Sequence, residues 1–450
     1  LPTKPESEVM DRPAAEAAGT AARGFISVRN LKTYFEIRGS VLDRLTGRDA
    51  GTVKAVDDVS FELAQGEVLG LVGESGSGKS TLGRTLLGLA PATGGSATFQ
   101  GREIVGMGER DLRALRAQMQ MVFQDPHAAL NPAMTIEQSV GHPLIIHKRA
   151  KGREEIRRHV AAALDRVGLS PPETYLDKYP NDLSGGQKQR AVIARAIVLD
   201  PVLLVADEPV SMLDMSVRSK ILQLMIDLKD KLNLTYLYIT HDLATAKFFC
   251  DRIAILYLGR IVEIGEASAI YEAPKHPYTR ALLTAIPDPD PTRDIPRDLP
   301  RGEIPDAAKP PFGCAFHPRC PMAFAPCGWE IRDLRDLLEA RWAGMAEEAH
   351  QAERALLGTI EAPDAPEPTS RLSAAPGATG EALLALLERI RNDDPAEPFW
   401  TGVKAMRAGD GCVEIDWHPP ERPELLDLGA AHAACHLHNA ELRARYGKAG

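Results

Sequence analysis

The chain has 450 residues, 44% of them apolar, and a formal net charge of −9. That length suits two or three domains, and an acidic balance without a dense Lys/Arg block argues against nucleic acid as a partner, because neutralising phosphates takes clustered cations. No apolar run approaches about 18 residues, so no segment is expected to span a bilayer.

Residues 1–24 are rich in Ala, Pro and Glu and lack an apolar stretch, so they read as disordered and not as a secretory signal. The compartment expected is the cytosol, where the six cysteines (Cys250, Cys314, Cys320, Cys327, Cys412 and Cys435) stay reduced. Residues 25–265 carry dense strand and helix patterns. The apolar run Val68–Val72 leads into Gly73-Glu74-Ser75-Gly76-Ser77-Gly78-Lys79-Ser80, which matches the phosphate-loop pattern G-x-x-x-x-G-K-[ST]. Its glycines let backbone N–H groups turn inward around phosphate oxygens. Lys79 would reach the β and γ phosphates of a nucleotide, and the Ser80 hydroxyl would ligate Mg²⁺. Thr81 opens a helix over 81–89 whose N-terminus points at the phosphates.

Further on, 153–167 reads as helix. Ser184 caps a helix that begins Gly185-Gly186-Gln187 and ends near Leu199. The run 202–206 ends at Asp207-Glu208, and 236–239 ends at Thr240-His241. Functional residues at the carboxyl ends of buried strands are what an open α/β sheet produces. Asp207 is placed to hold the water shell of Mg²⁺, and Glu208 to polarise an attacking water.

Residues 274–326 are proline-rich, which rules out long helices and central strands. Cys314, Cys320 and Cys327 cluster there and suggest a metal site. Residues 330–358 look helical, 362–380 form a Pro/Ala/Ser linker, and 381–391 form a short helix. Cys412–Trp417 is a strand, and a polar tail follows. The tryptophans Trp329, Trp342, Trp400 and Trp417 read as packing residues.

Leu183-Ser184-Gly185-Gly186-Gln187 is the signature pentapeptide of the ATP-binding cassette (ABC) family, which the chain resembles over 25–270. The resemblance implies a P-loop α/β fold with a RecA-like core, an antiparallel β subdomain and a helical subdomain that docks on membrane-spanning subunits. It implies an ATPase using ATP and Mg²⁺. In Val122-Phe123-Gln124-Asp125-Pro126, Gln124 matches the glutamine that senses Mg²⁺ and the attacking water. His241 matches the switch histidine at the γ-phosphate. Ser211-Met212-Leu213-Asp214 matches the loop whose Asp214 faces a dimer partner. Phe35 matches the aromatic that stacks on adenine, although the neighbouring Tyr34 could serve. Val210 and Met212 replace the family's Thr and Ala. In this family Ser184, Gly185, Gly186 and Gln187 act in trans, closing over the ATP of a second ATPase subunit, here expected to be a paralogue.

His276-Pro277-Tyr278-Thr279-Arg280-Ala281-Leu282-Leu283, Ala285-Ile286-Pro287, Ile304-Pro305 and Gly313-Cys314 resemble the C-terminal extension of oligopeptide/dipeptide importer ATPases, placed at 271–330. A small α+β insert with the linker and a closing cysteine would occupy 331–450. The resemblance implies import of di- or oligopeptides, or of nickel or oligosaccharides by the same machinery. Partners would be two membrane permease subunits and an extracytoplasmic solute-binding protein, with the chain peripheral on the cytoplasmic face of the inner membrane. A soluble ABC ATPase acting on DNA or ribosomes is the rival class, but such proteins usually carry two cassettes or a long coiled coil, and this sequence has neither. Cys314-x5-Cys320-x6-Cys327 is the extension's cysteine pattern. In members with a [4Fe–4S] cluster a fourth cysteine follows, and Cys435 matches it after a much longer spacer than the family's. Cys412 as fourth ligand, zinc with His317 or His436 beside the thiolates, and unliganded thiols stand as alternatives. A redox or iron sensor that acts on the transporter is a further reading of the same cysteines.

Overall fold

A computed structural model of the chain describes residues 24–37, 51–286, 302–360, 363 and 365–447. The N-terminal segment expected to be disordered lies outside these residues except for Gly24, and so does Pro287. In chain order the strands are β1 (Ile26–Glu36), β2 (Thr52–Leu63), β3 (Val68–Val72), β4 (Gly94–Phe99), β5 (Arg102–Glu103), β6 (Met119–Val122), β7 (Leu203–Asp207) and β8 (Thr235–Thr240). They continue with β9 (Arg252–Tyr257), β10 (Arg260–Glu266), β11 (Thr369–Ser373), β12 (Val403–Gly409), β13 (Cys412–Trp417), β14 (Leu426–Asp427) and β15 (Ala431–Ala433).

The largest sheet runs β14-β15-β10-β9-β3-β8-β7-β6. Strands β9, β3, β8, β7 and β6 are parallel. Every residue of β3, β7 and β8 is buried. Layers cover both faces of these strands, so the sequence shows continuous apolar runs there and no alternation. A second, antiparallel sheet, β2-β1-β4-β5, covers one face. Between the two sheets lie Leu69, Leu71, Leu82, Phe99, Val205, Leu237 and Ile239.

The other face buries Leu204, Ala206, Tyr236 and Tyr238 in a core shared with the helices Ile136–Ile146, Arg153–Arg166 and Gly185–Ile197. Thr135 starts the first of these helices with a capping box to Gln138, satisfying two of the free N–H groups at its end. No helix among the described residues is long and apolar enough to cross a membrane.

After Gly302 the chain departs from the sequence expectation in two places. The expected linker contains β11, which pairs antiparallel with β13 beside β12. Ser370 and Leu372 point inward while their neighbours do not, a two-residue alternation too short and too polar to stand out among Pro, Ala and Ser. The expected polar tail contains β15, whose Ala431 and Ala433 pair with Gly265 and Glu263 of β10. Small residues permit this approach: a Cβ on Gly265 would lie 2.7 Å from Ala430 O.

The helix Gly380–Asp393 buries Leu383, Leu386, Leu387 and Ile390. Trp329, Trp400 and Trp417 are also buried, as packing residues, in the cluster that reaches back to the main sheet. The chain leaves and re-enters this region at one point, where Glu421 N–H donates to Pro326 O at 2.9 Å.

Candidate functional site

The phosphate loop follows β3 directly. Gly78 has φ +98°, and a Cβ there would sit 2.0 Å from Ala55 O, so only glycine fits. Gly78 is also the N-cap of the helix Lys79–Leu86 and supplies no side-chain cap. The first N–H groups of that helix therefore remain free to bind an anion.

Lys79 is buried, and its Nζ donates to Gly73 O and Glu74 O, both at 2.8 Å. Burial lowers its pKa, opposed by the nearby carboxylates of Glu208, Asp207 and Glu74. Ser80 Oγ donates to Asp207 Oδ1 at 2.8 Å, so the two side chains expected to hold Mg²⁺ already face each other. Burial raises the Asp207 carboxyl pKa and the Ser80 bond opposes the rise.

Glu208 follows at the end of β7 with φ +47°, a left-handed conformation uncommon outside glycine and concentrated at functional sites. Its carboxylate is held from both sides. Gln124 Nε2 donates to Oε2 at 3.0 Å, and His241 Nδ1 lies 3.0 Å from Oε1. Lys79, Ser80, Gln124, Asp207, Glu208 and His241, drawn from four separate stretches of sequence, thus converge at the carboxyl ends of β3, β6, β7 and β8.

The signature turn stands apart from this cluster. Ser184 Oγ accepts from Gln187 N–H, and Gln187 Oε1 accepts from Ser184 N–H at 3.0 Å, a closed capping box. Ser184 and Gly185 are exposed, as are Asp214 and Met215, the latter to 79%. The two candidate adenine-stacking rings differ in freedom. Tyr34 Oη donates to Asp57 Oδ1 at 2.6 Å, and Arg260 grips the same carboxylate, whereas Phe35 is 44% exposed.

All six cysteines are buried and outside any disulfide. Four of them converge: Cys327 feels the charges of Cys314, Cys320 and Cys435, and Cys435 those of Cys314 and Cys320. Burial raises the thiol pKa values of Cys314, Cys327 and Cys435. Cys314 N–H donates to Cys327 O at 2.9 Å. Cys412 is elsewhere, on β13 under the Arg371 guanidinium, which removes it as fourth ligand. His317 is engaged at both ring nitrogens, by Cys314 O at 2.8 Å and Asp333 Oδ2 at 3.2 Å, which removes it as a zinc ligand. His436 Nε2 is engaged by Glu421 O at 2.9 Å. Among the described residues no group of three or more His, Cys, Asp or Glu side chains stands at metal-ligand spacing.

Sequence reasoning missed Arg319, which reaches Glu74 of the phosphate loop. A lone arginine beside Cys320 carries no motif. Its partner lies in a distant stretch of the chain, so only the fold reveals it.

Residues 56–211 match the ABC transporter family model, and residues 262–327 match the model of the oligopeptide/dipeptide transporter C-terminal region. A putative peptide import ATP-binding protein of Brucella ovis is 46% identical over 310 residues, covering 69% of this chain and 93% of the relative. The oligopeptide transport ATP-binding protein OppF of Escherichia coli is 43% identical over 304 residues, covering 67% and 90%. A solved dimeric bacterial ABC transporter cassette aligns with 29% identity and a TM-score of 0.47, over 54% of this chain and 98% of that one. At that identity to the two sequence relatives, over that share of their lengths, the chain belongs to the ABC transporter ATPases that carry the oligopeptide/dipeptide transporter C-terminal region.

Proposed function

We propose that the chain is the ATP-hydrolysing subunit of an importer for di- or oligopeptides. The observation that carries this reading is the Glu208 carboxylate, held between Gln124 and His241 beside Lys79 and the Ser80–Asp207 pair. The names of the relatives supply the peptide. Lys79 and the loop's N–H groups, with Ser75, Gly76, Ser77 and Thr81, take the phosphates. Phe35 stacks on adenine while Tyr34 stays tied to Asp57. Ser80, Asp207 and Gln124 would hold Mg²⁺, which when bound neutralises phosphate charge. Glu208 orients and polarises the attacking water, and His241 contacts the γ-phosphate.

The exposed Ser184, Gly185 and Asp214, with the half-buried Gly186 and Gln187, serve the ATP of a second, paralogous ATPase subunit. Closure of the two subunits moves a pair of permease subunits fed by an extracytoplasmic solute-binding protein, and this places the chain on the cytoplasmic face of the membrane. Residues 25–270 act as the cassette, 271–330 as the extension and 331–450 as the insert.

Glu208→Gln tests the central role. In the assembled transporter it should keep ATP binding and lower turnover by roughly 10²–10⁴-fold, the usual size of a general-base contribution. Unchanged hydrolysis would remove Glu208 from the mechanism.

A second reading concerns Cys314, Cys320, Cys327 and Cys435. Four buried thiols within electrostatic reach of one another are a donor set that suits a [4Fe–4S] cluster, since soft thiolates match iron and balance its charge. Chain purified under anaerobic conditions should return iron and acid-labile sulfide in equal amounts and absorb broadly near 400 nm, roughly as iron–sulfur thiolates do. Zinc without iron, or no metal, would sink this reading.

A further inference from the structure

The phosphate loop is held from outside its own sheet. Glu74, its second residue, takes two parallel bonds from the Arg319 guanidinium: Nη1 to Oε2 at 2.8 Å and Nη2 to Oε1 at 3.2 Å. Pairing of fork to fork fixes orientation as well as distance. The Glu74 N–H donates to Tyr278 Oη at 3.0 Å, and the Glu74 carbonyl accepts from Lys79 Nζ at 2.8 Å. One loop residue therefore touches the phosphate lysine on one side and the extension on the other.

Arg319 is firmly seated. It is 8% exposed, and its guanidinium carbon lies 5.9 Å from the centre of the Tyr257 ring and 5.8 Å from that of Phe316. Tyr257, Tyr278 and Phe316 pack against one another with ring centres 4.7, 5.3 and 5.2 Å apart. Arg319 lies in the turn His317–Arg319, next to Cys320. His317 ties that turn to Cys314 O and to Asp333 of the helix Ile331–Trp342. A continuous series of bonds thus runs from that helix through His317, Arg319 and Glu74 to Lys79.

We infer that Arg319 is a positioning residue for ATP. It fixes Glu74, and through Glu74 the carbonyls that hold Lys79, so the cysteine-bearing extension sets the nucleotide affinity of the phosphate loop. The alternative is a staple between two parts of the chain that contributes to stability alone. The inference rests on the reading of residues 73–80 as the phosphate site.

The test uses the full chain, with a fluorescent ATP analogue to read Kd and thermal melting to read stability. Arg319→Ala should weaken binding roughly tenfold, the range of one hydrogen bond to a charged group. Arg319→Lys should recover part of this, because it keeps the charge and loses the fork. Glu74→Gln, which is isosteric and leaves the aromatic packing in place, should weaken binding similarly. The double variant Glu74→Gln/Arg319→Ala should be no weaker than the worse single variant, as expected of two groups acting through one contact. A lowered melting temperature with Kd unchanged in Arg319→Lys and Glu74→Gln, or additive losses in the double variant, would overturn the inference. Lys79→Ala separates this from the underlying reading. If Lys79→Ala still binds the analogue, the phosphate site itself is misassigned; if it does not bind while Glu74→Gln binds normally, only the role of Arg319 fails.

Discussion

His276 sets a measurable limit on the acid stability of the extension. It is 1% exposed and caps the helix Pro277–Thr284, with Nδ1 accepting from Tyr278 N–H at 3.0 Å. The His276 backbone N–H donates to Glu263 Oε2 at 2.8 Å, and the imidazole Nε2 has no hydrogen-bond partner among the described residues. The Phe316 ring packs against the imidazole at 5.8 Å. Burial first, then the neighbouring His438 and Arg280, push its pKa down to about 3. In the unfolded chain the imidazole titrates near 6.5. Below that pH the unfolded chain binds a proton that the folded chain refuses, so this contribution is complete above pH ~6.5 and declines as pH falls toward 3. Between pH 7.5 and 5.0 the loss comes to about 2 kcal/mol, from roughly 1.5 pH units at 1.36 kcal/mol each. His276→Asn keeps a capping side chain that does not titrate. Urea unfolding of both proteins at the two pH values should show wild type losing about 2 kcal/mol more than the variant. His438 and Arg280 are present in both and cancel in the difference. Parallel pH dependences would refute the assignment of a neutral buried imidazole at this cap.

Two further outcomes are expected. Gly78→Ala should abolish nucleotide binding in a calorimetric titration, because its Cβ would lie 2.0 Å from Ala55 O at φ +98°; retained affinity would mean that the loop can relax without loss of its phosphate cradle. If the four thiols hold the proposed cluster, Cys435→Ser should lower the iron content of anaerobically purified protein while Cys412→Ser leaves it unchanged, since Cys412 sits on β13 against Arg371; equal losses would contradict the separation of the two sites.

Most residues of the candidate site are readable in the sequence because they sit where local patterns end, whereas Gln124 comes only from the resemblance. Lys79 and Ser80 follow a fully buried strand, Asp207 and Glu208 end a second, and His241 follows a third. A continuous apolar run is a strong local signal, and a charged residue at its end stands out. The capping role of Ser184 was legible for a similar reason, since helix starts have their own chemistry. Cys435 has no local signal that ties it to the other three cysteines, and only the resemblance suggests it; it lies within electrostatic reach of Cys314, Cys320 and Cys327.

Features built from distant or weakly patterned residues stayed hidden. β15 contains only Ala431, His432 and Ala433 and becomes a strand because β10 offers it an open edge. β11 was lost in a Pro/Ala/Ser stretch. The Arg319–Glu74 pair links residues 245 positions apart, and neither residue type is unusual where it stands. Such contacts are decided by tertiary packing, to which no short window of sequence has access.

The hydrogen bond between Glu421 and Pro326 has a consequence for how this chain can change. The polypeptide leaves at residue 327, builds a three-stranded sheet with its helix, and returns to the place it left. The distance that the flanking residues must span is therefore independent of what lies between them, and lengthening such an excursion adds little closure entropy. The part of the excursion beyond the helix Ile331–Trp342 can grow, shrink or be exchanged while residues 314–327 keep their place, provided that Asp333 still holds His317 and the replacement still covers Trp329 and its apolar surroundings.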